Sequence, residues 1–238
     1  MTSSSEAQGR IAVVPARGGS KRIPRKNVVD FHGKPMIHWP LEMLLSSGGF
    51  EAVVVSTDDQ EIASVAAQAG PVHIVERPAD LAGDDVPTAP VVVHAVEEVE
   101  RRLGLEVRVV TVLYPTSVFT THEHLTEADS LLKDSEAQLA MSICRYSAPI
   151  ERAWRRCENG RIHRIDETSA LARSQDLPDA YFDGAQFYIA NPEAWGAMAS
   201  GLPVETVGVP LTAGRAWDID TPDDLEIARV LFGAQRLS

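Results

Sequence analysis

Short β-branched runs alternate along the chain with longer stretches of helical periodicity. Ile11-Ala-Val-Val14 is wholly apolar and closed by Pro15, and Ala52–Thr57, Val72–Val75, Val107–Leu113 and Gln138–Cys144 repeat the type. Between them, Met36–Ser46, Asp58–Ala69, Pro87–Leu103 and Thr121–Lys133 carry helix-like patterns. Apolar runs separated by helices of about 10–15 residues predict βαβ units and a mostly parallel sheet covered on both faces. Two helix starts carry their own caps, Thr57-Asp58-Asp59 before the second and Thr120-Thr121-His-Glu123 before the fourth.

The rhythm changes after residue 145. Arg145–Arg164 is polar and basic, and Glu158-Asn159-Gly160-Arg161 reads as a hairpin turn. Parallel strands are expected to resume at Gln186–Ala190 and Glu205–Val209. Thr221-Pro222-Asp223-Asp224 then opens a terminal helix to about Leu231, with a capping Thr, Pro in the first turn and acids against the helix dipole. The expected organisation is a disordered tail over 1–9 and a single α/β domain over 10–238, with an inserted arm at about 145–165.

Composition narrows the class. Of 238 residues, 44% are hydrophobic and 24% charged, as in a soluble globular chain, while aromatics at 6% leave the core to Ala, Val, Leu and Ile. No apolar run approaches the ~18 residues of a membrane helix. The polar stretch from Met1 to Gln8 has no signal-peptide core. Cys144 and Cys157 form neither a C-x-x-C pair nor a disulfide framework, so free thiols and a cytoplasmic location are expected. A net charge of −12 excludes general binding to nucleic acid or a membrane surface.

The charge is unevenly placed. Residues 1–34 hold seven Lys/Arg (Arg10, Arg17, Lys21, Arg22, Arg25, Lys26 and Lys34) against Glu6 and Asp30. Most lie in Pro15–Asn27, directly after the first strand, where ligands bind in open α/β sheets. Gly18 and Gly19 let the backbone approach an oxyanion and offer their N–H groups to it. Arg17 supplies a fork of donors and Lys21 a point charge. The loop matches neither the Walker pattern nor G-x-G-x-x-G.

At the other end, Asp218-Ile219-Asp220 puts two carboxylates on one face of an extended segment. Mg²⁺ suits such a pair, since it takes one or two carboxylates and also ligates substrate phosphates. An acidic cap for the last helix explains the spacing equally well. Asp84 and Asp85 read as helix-capping acids, and Asp223 and Asp224 as residues that complement the terminal helix dipole. His122 and His124 lack a third ligand for zinc. Neither a Ser-His-Asp set nor a G-x-S-x-G elbow is present. Phe187 and Tyr188 alternate on a strand, so one of them belongs in the core.

Ile11-Ala-Val-Val-Pro-Ala-Arg-Gly-Gly-Ser-Lys-Arg-Ile-Pro-Arg-Lys-Asn27 resembles the signature of the nonulosonate (sialic-acid-type) cytidylyltransferases. The likeness continues through Gly33-Lys34-Pro35-Met36, Ser56-Thr57-Asp58, Glu76-Arg77-Pro78, Tyr114-Pro-Thr-Ser117 and Trp217-Asp-Ile-Asp-Thr-Pro222. Leu113–Ser117, Pro149-Ile-Glu-Arg-Ala153 and Arg173–Pro178 leading into Asp183–Tyr188 are most similar to the branch acting on pseudaminic acid. Close relatives read Asp-Ala-Gly-Gln where this chain has Asp183-Gly184-Ala185-Gln186. They also carry His and Trp where it has Phe182 and Ile189, positions the resemblance places near the sugar.

The resemblance implies a Rossmann-like nucleotidyltransferase domain that joins CMP from CTP to the anomeric hydroxyl of an acidic nine-carbon sugar. It implies Mg²⁺ on Asp218 and Asp220, with Arg17 and Lys21 completing the catalytic set. Nucleotide contacts would come from Ala16, Arg17, Gly18, Gly19, Ser20, Lys21, Asn27, Arg77 and Thr88. Sugar contacts would come from Tyr114, Arg173, Gln186 and Tyr188. The arm would cross to the second subunit of a homodimer. Legionaminic acid, N-acetylneuraminic acid and Kdo are the alternative acceptors, and a non-catalytic nucleotide-binding regulatory module is the alternative of another class.

Overall fold

The computed structural model describes residues 7–167, 172–212 and 217–236. Its strands are β1 (Arg10–Pro15), β2 (Asp30–Phe31), β3 (Lys34–Pro35), β4 (Ala52–Thr57), β5 (His73–Glu76), β6 (Val109–Leu113), β7 (Leu139–Arg145), β8 (Trp154–Arg156), β9 (Ile162–Arg164), β10 (Tyr181–Ala190) and β11 (Thr206–Leu211). Its α-helices are α1 (His38–Ser47), α2 (Gln60–Ala67), α3 (Thr88–Leu103), α4 (His122–Lys133), α5 (Pro192–Ala199) and α6 (Pro222–Gln235).

Seven strands form one sheet in the order β11-β7-β10-β6-β1-β4-β5. Every neighbouring pair is parallel except those made by β10. The side-chain period of two sorts each central strand between two cores. Ala12 and Val14 face α1, α2 and α4, together with Ile37, Leu41, Ile62 and Leu125. Ile11 and Val13 face α3 and α5, together with Val92, Val96, Val99 and Trp195. Aliphatic side chains thus fill both layers, as the low aromatic content requires. Strand order reverses beside β1, where β4 and β5 extend one way and β6 the other, so a crevice opens at the carboxyl ends of β1 and β6.

A third apolar cluster lies outside this sandwich. Ile23 and Phe31 from the segment after β1 pack with Ile219 and with Leu225, Ala228 and Phe232 of α6. Three rings meet Phe232 edge-on, those of Phe31, Trp39 and Phe119. This cluster buries Phe31, Phe119 and Phe232 and joins the two ends of the chain.

Several expectations are corrected. Strand β10 begins at Tyr181 and runs antiparallel to both neighbours. The arm leaves at Arg145 and the chain returns at Tyr181, paired with it, so the whole excursion acts as a long hairpin connection and reverses direction. Helix α5 was not anticipated; Asn191 caps it by accepting from the Ala194 N–H, with Pro192 in the first turn. Helix α6 runs to Gln235, beyond the expected end. Gly9 belongs to the folded body, donating to Glu51 at 2.8 Å and accepting from Val109 at 3.1 Å, while residues 1–6 of the expected tail lie outside the described residues. The hairpin read at Glu158–Arg161 joins β8 to β9, with Gly160 at φ 83°. Among the described residues no helix is long and apolar enough to cross a membrane.

Candidate active site

A cleft of about 380 Å³ opens at the carboxyl edge of the sheet. Arg17, Ser20, Lys21, Arg22, Lys26 and Asn27 form one wall, and Asp218 and Asp220 another. Thr88, Tyr114 and Tyr188 close the remaining side, with Arg77 in the floor. The basic loop and the distant carboxylate pair therefore open onto a single space.

Local structure explains how the loop is held. Gly18 approaches the start of α2 so closely that a Cβ there would lie 2.7 Å from Asp59 Oδ2, and its N–H donates to Asp58 at 2.9 Å. Asn27, nearly buried, donates its amide to the Arg17 carbonyl at 2.8 Å and braces the turn from inside. Arg25 adopts a left-handed backbone (φ 56°) and forks onto Asp59 at 2.6 and 3.0 Å, with Glu61 as a further partner. Asp59 also caps α2 by accepting from the Ile62 N–H at 3.0 Å. The Arg25 guanidinium outweighs partial burial and holds the Asp59 carboxyl at about 2, well below its ordinary range.

The opposite wall follows the alternation read from sequence. Ile219 is fully buried, while Asp218 and Asp220 face the cleft. Burial, and then the charge of Asp220, push the Asp218 carboxyl upward. Burial also raises Asp220, but Lys26 at 3.0 Å and Arg22 at 2.7 Å more than offset it and leave that carboxyl lowered. Two carboxylates on one face, one of them disfavoured as an anion by the other, make a hard-oxygen donor set that suits Mg²⁺. Among the described residues no third acidic, His or Cys side chain completes a metal cluster there. A cation would keep positions for water and phosphate.

On the third side, Thr88 Oγ1 and the Tyr114 hydroxyl lie 2.8 Å apart, and the Tyr188 hydroxyl donates to Asp183 at 2.7 Å. Burial raises both phenols, so they act here as neutral hydrogen-bonding groups. Arg77 is 7% exposed and donates to the Ser56 carbonyl at 2.9 Å; burial lowers its pKa. Phe187 is the core member of the strand pair and Tyr188 the cleft member.

Other expected residues lie elsewhere. Ala16, Gly18 and Gly19 do not line the cleft, and the N–H groups of Ala16 and Gly18 go to Ser56 and Asp58. The anticipated glycine nest is thus partly spent on the protein's own acceptors. Arg173 pairs with Asp176 at 2.9 Å and is exposed, away from the cleft. Gln186 is fully buried, donating to the carbonyl of Trp217 at 3.2 Å, and supports the carboxylate segment from behind. Ile189 is core, and Phe182 packs edge-on against Tyr146, so neither reaches the cleft. Asp84 does not cap α3, whose cap position is Pro87; it pairs with Arg17 and Lys21.

Sequence reasoning left Arg22, Lys26 and Ala185 unassigned. The partner of the first two lies at the far end of the chain, and no local pattern announces it. Ala185 adopts φ 50° at the bulge in β10, where a Cβ on Gly184 would instead meet Ser142 at 3.0 Å. The Gly-Ala order at 184–185 thus fits the neighbour and accepts left-handed strain of about 1 kcal/mol at the cleft.

The cytidylyltransferase family profile matches residues 11–200. The chain is 35% identical over 222 residues to pseudaminic acid cytidylyltransferase of Campylobacter jejuni subsp. jejuni serotype O:2, covering 93% of this chain and 95% of that protein. This chain belongs to the cytidylyltransferase family. The cytidylyltransferase is also 35% identical over 143 residues, 57% of its length and 61% of the relative's, to CMP-N,N'-diacetyllegionaminic acid synthase of Legionella pneumophila subsp. pneumophila. Its fold matches that of CMP:2-keto-3-deoxy-manno-octonic acid synthetase, solved with CTP, with a TM-score of 0.67 and 20% identity over 95% of this chain and 99% of that one.

The lowered Asp59 carboxyl has a consequence for this cytidylyltransferase in acid. A carboxylate held at about 2 stabilises the fold fully above its ordinary unfolded value and loses that contribution as pH falls towards 2. Asp59→Asn is expected to cost about 1–2 kcal/mol at pH 7 and to flatten the fall in stability between about pH 4 and pH 2. Urea denaturation across that range checks it; parallel wild-type and variant curves would refute it.

Proposed function

We propose that this cytidylyltransferase transfers CMP from CTP to the anomeric hydroxyl of an acidic nine-carbon sugar, pseudaminic acid, and releases pyrophosphate. The observation that carries the reading is the single cleft shared by Lys21 and Asp220. The near full-length likeness to the Campylobacter jejuni enzyme supports the acceptor. The partial likeness to the legionaminic acid enzyme supports a second reading, in which that sugar is the acceptor.

In this reading Arg17 and Lys21 hold the triphosphate, and Ser20 lies in the same wall. Arg77 and Thr88 contact the nucleotide. Tyr114 and Tyr188 present neutral hydroxyls to the sugar, which suits a polyhydroxylated acceptor. Asp218 and Asp220 would hold Mg²⁺, which when bound supplies positive charge to the phosphate oxygens. The sugar hydroxyl oxygen attacks the α-phosphorus and loses its proton to solvent, the bond from that phosphorus to the bridging oxygen breaks, and pyrophosphate leaves with that electron pair. Positioning and charge supplied by the loop provide most of the acceleration in such a transfer. Two free cysteines suit a reducing cytoplasm.

Pyrophosphate release from CTP, with candidate sugars added one at a time, tests nucleotide, reaction and acceptor together. Pseudaminic acid is expected to support the highest kcat/KM; faster turnover with legionaminic acid would move the assignment to the second reading. Lys21→Ala and Asp220→Asn are each expected to lower kcat by about 10²–10³, and Lys21→Ala to do so with the melting temperature retained. Near-normal rates in both would refute the site.

The arm supports a homodimer. Tyr146, Trp154, Ile162 and Ile165 are 44%, 49%, 53% and 60% exposed, large apolar side chains on a basic hairpin of an acidic protein. Covering them with a second copy removes apolar surface from water. Light scattering is expected to give twice the chain mass for the wild type and the chain mass for Trp154→Glu/Ile162→Glu. A monomeric wild type with full turnover would exclude the dimer.

A further inference from the structure

Arg17 and Lys21 are already engaged in the nucleotide-free molecule, and by the same residue. Arg17 takes one oxygen of the Asp84 carboxylate and Lys21 the other. A carboxylate bridging a guanidinium and an ammonium offers the charge and oxygen spacing that phosphate oxygens would offer to those groups. Asp84 lies in the connection between Leu81 and α3, and Val86 and Thr88, close behind it, line the same cleft. The pairs are wet: the side chain of Asp84 is 35% exposed and that of Lys21 80%. Exposed ion pairs are weak enough for a more highly charged anion to displace. Lys21 and then Arg17 hold the Asp84 carboxyl below its ordinary range, so it is an anion throughout the neutral range. Asp85, its neighbour, acts on Lys21 only through space.

We propose that Asp84 is an internal competitor for the polyphosphate subsite, occupying the Arg17–Lys21 pair until triphosphate displaces it and returning as pyrophosphate leaves. The proposal rests on the reading of Arg17 and Lys21 as phosphate-binding groups. It gives the cleft a threshold: a small anion of low charge gains too little to break both contacts, while a triphosphate gains enough. It also assists product release, because each cation has a replacement partner within reach as pyrophosphate departs.

The test titrates the full chain with inorganic tripolyphosphate and with pyrophosphate by calorimetry at fixed ionic strength. It also measures pyrophosphate inhibition of CTP turnover. Asp84→Asn and Asp84→Ser are compared with Asp85→Asn and the wild type, with melting temperatures recorded for each. Both Asp84 variants are expected to bind both polyphosphates about three- to tenfold tighter, and the inhibition constant for pyrophosphate is expected to fall by the same factor. Asp85→Asn, which removes the same charge without a direct contact, is expected to shift binding by less than about twofold. Unchanged or weaker binding in the folded Asp84 variants would overturn the proposal, as would equal tightening in Asp85→Asn. Wild-type binding that is undetectable, or that survives Lys21→Ala undiminished, would instead overturn the reading of the loop on which the proposal rests.

Discussion

One ammonium group ties the two ends of this chain together. Lys26 Nζ donates to the Ile219 carbonyl at 2.8 Å and to Asp220 at 3.0 Å, while Arg22 reaches the other oxygen of the same carboxylate at 2.7 Å. Beneath that contact Ile23 and Ile219 share an apolar cluster with Phe31, Leu225 and Phe232. Burial of these side chains supplies the driving force, and the ion pairs set the register of the two segments. The cleft exists because the carboxylate segment is pinned against the loop.

Charge placement divides the basic segment into parts with different tasks. Arg25 serves the fold, anchoring the loop to Asp59 and Glu61 at the start of α2. Arg22 and Lys26 serve the joint with Asp220. Among the described residues Arg17 and Lys21 pair only with the exposed Asp84. Arg17 and Lys21 line the cleft and hold no partner that joins the two ends of the chain, so a ligand can take them without loosening that joint. An acidic protein with so concentrated a positive segment stays folded because acids from three distant stretches neutralise it.

The sheet was legible because its strands are short apolar runs whose alternation sorts side chains between two cores. Helices α2 and α6 were legible because Asp59 and Thr221 announce their starts. The direction of β10 was not, since it depends on where the arm delivers the chain back to the sheet. The carboxylate pair was readable from the period of two, with Ile219 buried and both acids in the cleft. Its cationic partners were not, because Lys26 and Asp220 meet only through the packing of α6. Asp84 reads as a cap because an acid ahead of a helix is a common local signal; its actual partners come from a loop far upstream. Arg173 and Gln186 were placed by resemblance, and their positions outside the cleft depend on tertiary contacts that no motif encodes.

In the proposed reaction one triphosphate spans the amino-terminal loop and the carboxyl-terminal carboxylates. The most direct measurement of that span is a crystal structure of the chain with Mg²⁺ and a non-hydrolysable CTP analogue. The account predicts phosphate oxygens on Lys21 and Arg17, with a cation between the phosphates and the Asp218–Asp220 pair. A nucleotide bound with its phosphates away from Lys21, or with Asp220 still held by Lys26 and Arg22 and facing no cation, would contradict it.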